Sequence, residues 1–391
     1  MQSARKSKFK PPTPWIEFIP ISINTFFVNY LFLSYLFRFR YYKLEKVPLL
    51  FYVYNIQAFM ALFFGILFIH PIYNDINSQI ISFFSYVTFS SILLIALPYN
   101  IKQIFDGLVF VTFLYSSFAL FVFMTNPELT AIDWAFTKIT MREYIPAWPQ
   151  RFPQIIVLSS LYLISKNKLS NFEIVALSSC LGCITITFTR SIYLAFIIPL
   201  IPLLLIKIKK TLSIFITKRR FKIIWLIIPF FILYFVHLML AEENTITYLI
   251  SNSYSLGYGF VTGTGDINAV RGGSSSGERL FRWIEVTKLA LNYPLFGTGF
   301  KGIYQFSTMG STHSQYTDIL LRVGIIGFFI NMYLLYNVYK CYHINYSFIT
   351  PIIISIVIFS IFNESIKLPF MGFLIFILNN KSVRMNSKHL L

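Results

Sequence analysis

The stretch STHSQYTDILLRVGIIGFF, residues 311–329, joins charged side chains to the start of a long apolar run. The run predicts a membrane-spanning helix over residues 315–338. His313 lies just before this span, and Asp318 and Arg322 lie within its first turns. Because ionisable groups in a membrane segment are costly, their presence indicates a function. The sequence therefore predicts a membrane helix whose first end carries chemistry.

The rest of the chain shares the apolar character of this stretch. Of its 391 residues, 56% are hydrophobic, 19% are aromatic and only 12% are charged. Such runs are typical of a polytopic membrane protein, in which helices of about 20 apolar residues satisfy their own backbone groups. We expect an all-α transmembrane helical bundle of 11 or 12 spans, forming a single domain over residues 1–391. The candidate spans are 15–37, 47–69, 80–99, 108–124, 153–166, 172–190, 191–206, 223–240, 315–338, 347–362 and 366–379.

Positive charge is concentrated in short loops between the apolar runs. The chain has 33 Lys and Arg residues against 15 Asp and Glu residues, which gives a net charge of +18. The positive-inside rule places the basic segment 207–222 in the cytoplasm, and alternation puts 38–46, 166–171 and the C-terminal tail on the same side. With eleven spans the basic N-terminus would lie outside, so a twelfth helix near the N-terminus is the alternative. Nucleic acid is not an expected partner, because no aromatic and basic reading surface accompanies the charge.

The three cysteines lie in or beside apolar runs. Cys180 and Cys183 have CxxC spacing, whereas Cys341 is separate. Because no second pair of ligands accompanies the CxxC, packing inside the bundle is favoured over zinc binding or redox chemistry. We expect no metal site and no cofactor.

Two long segments are predicted to lie outside the cytoplasm. One is the loop 125–152, and the other is the larger loop 241–314, which includes a Gly- and Ser-rich stretch at 257–277. After that stretch the sequence predicts an amphipathic helix over 276–292, with Ser275 and Glu278 as a capping box and Pro294 beyond its end. Its larger apolar side chains fall on one side, which suits a helix on the membrane surface or on top of the bundle: Leu280, Trp283, Ile284 and Leu291.

Cations are placed at the predicted outer face of the bundle. Arg190 ends the span 172–190, and Arg279 and Arg282 are neighbours on the amphipathic helix. The structural alternative for each is an arginine that reaches toward lipid headgroups. Asp318 and Arg322, four residues apart, could instead neutralise each other.

Taken together, these cations predict an anionic ligand at the membrane surface. The set comprises Arg190, Arg279, Arg282, His313 and Arg322, with Arg142 and Arg151 from the shorter outer loop. Guanidinium groups bind phosphate through two hydrogen bonds and keep their charge at any working pH. Several of them can neutralise a lipid diphosphate without a metal ion.

Three of these stretches resemble the successive signatures of the O-antigen polymerase and O-antigen ligase superfamily. They are TFTRS (187–191), ERLFRWIEVTKLALNYPLFGTG (278–299) and HSQYTDILLRVGIIGF (313–328). In that family an Arg closes a span, an outer helix carries an Arg four residues before a Trp and leads into a Pro-Leu-x-Gly-x-Gly turn, and a His precedes a span with Gly-x-x-Gly. The resemblance covers residues 185–330, and the matching positions after the helix are Pro294, Leu295, Gly297, Gly299, Gly324 and Gly327.

The resemblance implies a membrane glycosyltransferase that uses glycans linked to undecaprenyl diphosphate, without a metal ion or nucleotide sugar. By position, Arg190 and Arg279 would hold the diphosphate, and His313 would bind it or activate the acceptor hydroxyl. Trp283, Arg282, Asp318, Arg322, Arg142 and Arg151 are candidate substrate-binding residues. The sequence departs from the family where Ser314 follows the His in place of Asn, and where Arg322 replaces a common Glu. The general base is therefore open between His313, Asp318 and Glu278.

The predicted function is a surface polysaccharide polymerase of the bacterial inner membrane, with its active site facing the periplasm. The expected partners are the lipid-linked oligosaccharide, membrane lipids and a protein that regulates chain length. The first alternative is an O-antigen ligase, which transfers the glycan to lipid A core. A lipid-glycan flippase is less favoured, because most predicted spans carry no charge near their middle.

Overall fold

The structure is a computed structural model of the 391-residue chain. It describes residues 48–73, 75–94, 97, 99–126, 129, 140–141, 144–145, 152–187, 189–215, 275–307, 312, 314–363 and 369–388. Within these ranges the side chains of residues 190, 205–215, 275–281, 369–370, 373 and 388 are not described.

The described residues form eleven α-helices and two short 3-10 helices, and no strand occurs among them. The 3-10 helices are Phe89–Leu94 and Ile303–Gln305. In chain order the α-helices are α1 (Leu49–Phe68), α2 (Ile76–Thr88), α3 (Ile101–Thr125), α4 (Pro153–Ser165), α5 (Asn171–Thr185), α6 (Arg190–Phe215), α7 (Ser275–Leu291), α8 (Gln315–Tyr342), α9 (Ile349–Phe362), α10 (Pro369–Asn379) and α11 (Lys381–Lys388).

The all-α membrane fold predicted from the sequence is confirmed. In the described part of the chain, α1, α3 and α8 are long and apolar enough to cross a membrane, and α4, α5, α9 and residues 191–204 of α6 are shorter apolar helices. The predicted spans 15–37 and 223–240 lie outside the described residues. The predicted span 80–99 is not one helix, since α2 ends at Thr88 and a 3-10 helix follows. There the hydroxyls of Ser90 and Ser91 donate to the carbonyls of Val87 and Thr88, which competes with regular α-helix.

Helix α1 shows how the bundle is adapted to lipid. Its buried face is made of Tyr54, Gln57, Ala58, Ala61 and Gly65, which recur at helical spacing. Large apolar side chains occupy the opposite face and are exposed: Tyr52, Ile56, Phe59, Phe63 and Ile66. Small residues at the helix contact let backbones approach closely, while large apolar side chains face hydrocarbon. This distribution is that of a membrane helix.

Helices α3 and α5 pack through small polar side chains. The hydroxyl of Ser179 lies 2.9 Å from that of Ser116 and 3.0 Å from that of Ser117. Cys180 and Cys183 are fully buried free thiols, and Cys180 Sγ lies 3.8 Å from Thr112 Oγ1. The cysteines therefore pack in the bundle, as their apolar setting indicates.

The two ends of the bundle differ in their charged contacts. At one end, the ring of Tyr162 in α4 packs on those of Phe105 in α3 and Phe348 next to α9. There Lys166 bridges Asp106 at 2.8 Å and Glu173 at 2.5 Å. We call this the inner end, because the positive-inside rule predicts that it faces the cytoplasm. The outer end contains the starts of α6 and α8 and the end of α9.

Candidate functional site

Helix α8 is broken close to its outer end. Gly324 has φ 66° and ψ −170°, which no α-helix accommodates. In an intact helix the carbonyls of Leu321 and Arg322 would accept from the N–H groups of Ile325 and Ile326. The break separates these groups, and in a membrane each unpaired one would cost several kcal/mol. A second segment must therefore pair with them.

That segment is residues 293–302, which we call the glycine loop. Its backbone takes over the hydrogen bonds that α8 loses, so that both donors and acceptors at the break are paired. The four bonds are Thr298 N to Leu321 O (2.6 Å), Phe300 N to Arg322 O (3.1 Å), Ile325 N to Pro294 O (2.8 Å) and Ile326 N to Leu295 O (3.5 Å). The loop and the broken helix therefore form one unit.

Glycine is required at the closest contacts of this unit. Gly297, Gly299 and Gly324 all have φ between 65° and 66°, a region that side chains with a Cβ rarely adopt. A Cβ on Gly297 would also lie 2.5 Å from the backbone nitrogen of Gly324. A Cβ on Gly65 of α1 would lie 2.5 Å from the Cα of Gly299. Gly65, together with Gly297, Gly299 and Gly324 of the family resemblance, allows α1, the glycine loop and α8 to meet backbone to backbone.

Three buried polar side chains that the sequence analysis missed complete the unit. Gln57 Nε2 of α1 donates to Val323 O at 3.0 Å, and Gln79 Nε2 of α2 donates to Gly299 O at 2.6 Å. Lys301 is only 3% exposed, and its Nζ donates to the carbonyls of Gly65 and Ile69 at the end of α1. Burial lowers the pKa of Lys301. The position of Gln57 inside the predicted apolar span 47–69 is a signal that could have identified it.

Asp318 and Arg322 form the ion pair that their spacing allows. Arg322 Nε lies 3.0 and 3.1 Å from the two carboxylate oxygens of Asp318, and both side chains are largely buried. Arg322 also donates through Nη1 to the carbonyl of Phe300 at 2.8 Å and to Ser82 Oγ at 3.2 Å. The guanidinium therefore ties α8 to the glycine loop and to α2. A role of this pair in binding substrate stays a prediction.

The outer end of α9 is the place where the candidate segments meet. Asn363 Nδ2 donates to Ser191 Oγ at 2.9 Å, and Ser191 follows Arg190 at the start of α6. Ser314, the residue after His313 in the sequence, donates to the carbonyl of Ser360 at 3.5 Å. From α7, the indole of Trp283 lies 6.3 Å from the ring of Phe362. All three signature stretches thus contact one helix end.

Trp283 presents an unused hydrogen-bond donor at this place. Its Nε1 is buried and has no acceptor in the described structure. Helix α7 packs on α8 through Val286 and Ala290, whereas Leu291 is 63% exposed. The face that contacts the bundle is therefore offset from the large apolar stripe seen in the sequence. This offset turns Leu291 outward and places Trp283 at the contact with α9.

The remaining predicted site residues are described less fully. Arg190 is the first residue of α6 and Arg279 lies in the second turn of α7, but their side chains are not described. His313, Arg142 and Arg151 lie outside the described residues. Arg282 is partly buried in α7. In the described part of the chain no group of three or more His, Cys, Asp or Glu residues could hold a metal ion.

The chemistry available at the outer end of α9 is that of hydrogen-bond donors. The described groups are the indole N–H of Trp283, the amide of Asn363 and the hydroxyl of Ser191. Hydrogen-bond donors that lie close together suit an oxygen-rich ligand such as a phosphate or a sugar. The arginines of the sequence signatures flank these groups along the chain.

Comparison with known proteins gives a family match, and it falls on the part of the chain that contains Ser191 and Trp283. Residues 175–332 match the family model described as O-antigen ligase. The matched region includes α6, α7, the glycine loop and the break in α8. No curated protein matches the chain. The match supports the resemblance of this part of the chain to the O-antigen polymerase and O-antigen ligase superfamily, which the three signature stretches carry.

Proposed function

We propose that the protein is a surface polysaccharide polymerase. It moves a growing glycan from undecaprenyl diphosphate onto a sugar hydroxyl of the next lipid-linked repeat unit, at the outer side of the inner membrane. The observation that carries this proposal is the meeting of the three signature stretches at the outer end of α9, through Ser191, Trp283 and Ser314. The free indole N–H at that place supports an oxygen-rich ligand.

The proposed reaction breaks the bond between the anomeric carbon and the diphosphate oxygen. Negative charge grows on the leaving diphosphate, and the guanidiniums of Arg190 and Arg279 stabilise it. Removal of one such interaction typically raises the barrier by about 3 kcal/mol, which is about a hundredfold in rate. The acceptor hydroxyl loses its proton as it attacks, and His313 is the first candidate to take it, before Asp318 and Glu278. Asp318 is the weaker candidate because Arg322 already binds both of its oxygens.

The family description favours one alternative, an O-antigen ligase that transfers the glycan to lipid A core. Both functions use the same donor, so the acceptor distinguishes them. The test is reconstitution of the purified protein with a defined lipid-linked repeat, with and without lipid A core. A polymerase extends the lipid-linked repeat in the absence of core. Product on lipid A core alone would contradict the polymerase and support the ligase.

The same assay tests the residues. Arg190→Ala and Arg279→Ala should each lower the rate about a hundredfold while the protein remains in the membrane at its normal level. Trp283→Phe keeps the ring and removes the N–H, and it should lower the rate about tenfold through one lost hydrogen bond. Lys288→Ala is the matched control on α7, because Lys288 is exposed and pairs with Glu285. If both arginine variants make normal polymer, the diphosphate role is wrong.

A further inference from the structure

The connection between α5 and α6 sets the position of Arg190. Helix α5 ends at Thr185 and α6 begins at Arg190, so only residues 186–189 connect them. Helix α5 packs on α3 and α4, whereas α6 packs on α4 and α9. Any change in how this connection is held therefore moves the backbone that carries the guanidinium of Arg190.

Hydrogen bonds inside the connection hold each half of it. Thr187 Oγ1 donates to the carbonyl of Ile184 at 2.8 Å, at the end of α5. Thr189 Oγ1 donates to the carbonyl of Thr187 at 2.9 Å, directly before Arg190. Both threonines are buried. Because these bonds join near neighbours in the sequence, they do not by themselves fix α6 relative to α5.

Tyr193 joins the two helices across the connection. Its hydroxyl donates to the carbonyl of Thr185, the last residue of α5, at 2.8 Å. The carbonyls at the end of a helix have no partner within that helix, so a donor from elsewhere must satisfy them. Tyr193 is only 4% exposed and packs in the core of the bundle, which holds its ring in place.

Tyr193 and Ser191 attach the first turn of α6 to two different helices. The hydroxyl of Tyr193 attaches it to α5, and Ser191 Oγ accepts from Asn363 at the end of α9 at 2.9 Å. Two such anchors oppose both rotation and translation of the turn. Tyr193 lies three residues after Arg190, so the two are neighbours on the surface of α6. The backbone of Arg190 is therefore held in one orientation.

A second buried tyrosine makes the same kind of bond at the inner end of the bundle. Tyr342 of α8 is 2% exposed, and its hydroxyl donates to the carbonyl of Leu378, near the end of α10, at 3.0 Å. None of the three signature stretches includes either residue. Loss of this hydroxyl would remove the same interaction far from the candidate site, so Tyr342 provides a matched control.

We propose that Tyr193 is a positioning residue, which holds the start of α6 in the orientation that Arg190 needs to bind the leaving diphosphate. The inference rests on the proposed function, in which Arg190 stabilises that charge. Electrostatic stabilisation of a transition state depends on donors that are in place before the charge develops. Without the hydroxyl of Tyr193, the first turn of α6 samples other orientations, and Arg190 is placed correctly for only part of the time. The barrier then rises, while binding of the whole lipid-linked donor changes little.

The test measures kcat and KM of the reconstituted full-length enzyme for a defined lipid-linked donor, with the acceptor that the reconstitution assay identifies. Tyr193→Phe keeps the buried ring and removes only the hydroxyl. We expect kcat to fall about tenfold and KM to change less than about twofold. Tyr342→Phe should lower the unfolding midpoint to a similar extent but leave kcat within about twofold of normal. Thr189→Val removes the hydroxyl bond directly before Arg190, and this second variant should show the same loss of kcat with little change in KM.

The same substitution in an Arg190→Ala background separates positioning from a structural role. Because a positioning residue acts through Arg190, Tyr193→Phe should not lower kcat further when the guanidinium is absent. An equal fall in both backgrounds, or equal kcat for Tyr193→Phe and Tyr342→Phe, overturns the proposal. A normal rate for Arg190→Ala alone is a different result: it shows that the proposed function of Arg190 is wrong, and the role of Tyr193 is then wrong with it.

Discussion

Two contacts between helices in this protein satisfy their buried polar groups in different ways. Helices α3 and α5 are intact, and small side chains such as Ser116 and Ser179 hydrogen bond across their contact. Where α1 and α8 meet the glycine loop, α8 is broken and backbone groups from distant segments pair with each other. The contact between α3 and α5 should tolerate substitutions, because its side chains can repack. The contact at the glycine loop depends on the identity of a few residues, because backbone segments in direct contact cannot move apart without losing their hydrogen bonds.

Substitution of a glycine by alanine should give the largest difference in stability between the two contacts. Gly297→Ala places a Cβ at φ 66° and 2.5 Å from Gly324 N. We expect destabilisation by more than about 4 kcal/mol, so that little folded protein reaches the membrane. Gly182→Ala in α5 is the control, since its Cβ would lie 3.3 Å from the flexible side chain of Leu120. It should change stability by less than about 1 kcal/mol. Thermal unfolding in detergent measures both, and similar midpoints would contradict the account.

Removal of the arginine in the buried ion pair should have the next largest effect. Arg322→Met leaves the carboxylate of Asp318, 2% exposed, without its charged partner. The expected loss is about 3 kcal/mol, and Asp318→Asn in the same chain should restore part of it. Lys166→Met breaks the pairs with Asp106 and Glu173, and it should cost less, about 1–2 kcal/mol, because these side chains are 56% and 18% exposed and water reaches both carboxylates. A smaller loss for Arg322→Met than for Lys166→Met would show that the ion pair does not hold the loop.

Replacement of Lys301, which hydrogen bonds to the end of α1, should have a moderate effect on stability. Lys301→Met keeps the length of the side chain but removes the donor to the carbonyls of Gly65 and Ile69. We expect a loss of about 2 kcal/mol from two buried acceptors left unpaired. Lys102→Met, at an exposed position, should leave the unfolding midpoint unchanged. Equal midpoints for the two variants would mean that water or lipid replaces the lysine.

Much of the fold could be predicted from the sequence, because apolar length and helix-ending residues are local signals. The ranges of α4 and α9 agree with the predicted spans 153–166 and 347–362 to within a few residues. The break at Gly324 could not be predicted, since its cause is a loop that approaches from another part of the chain. Lys301 was missed for the same reason: the burial that gives it a role is created by α1.

The candidate site was predicted from the order of its signatures rather than from geometry. The sequence grouped Arg190, Arg279 and His313 on one face, but it gave no sign that α9 provides the common contact. Asn363 lies after an apolar run with no motif around it, so it was missed. The four-residue spacing of Asp318 and Arg322 allowed either a role in ligand binding or mutual neutralisation, and the structure contains the ion pair.

The most direct test of the central claim measures whether the signature stretches meet at the outer end of α9. In a chain whose native cysteines are replaced, Ser191→Cys with Asn363→Cys should form a disulfide under mild oxidation, because these two side chains are in hydrogen-bond contact at 2.9 Å. Ser191→Cys with Asn337→Cys, near the inner end of α8, is the control and should remain reduced. Absence of the first cross-link, or equal cross-linking in both pairs, would contradict the account.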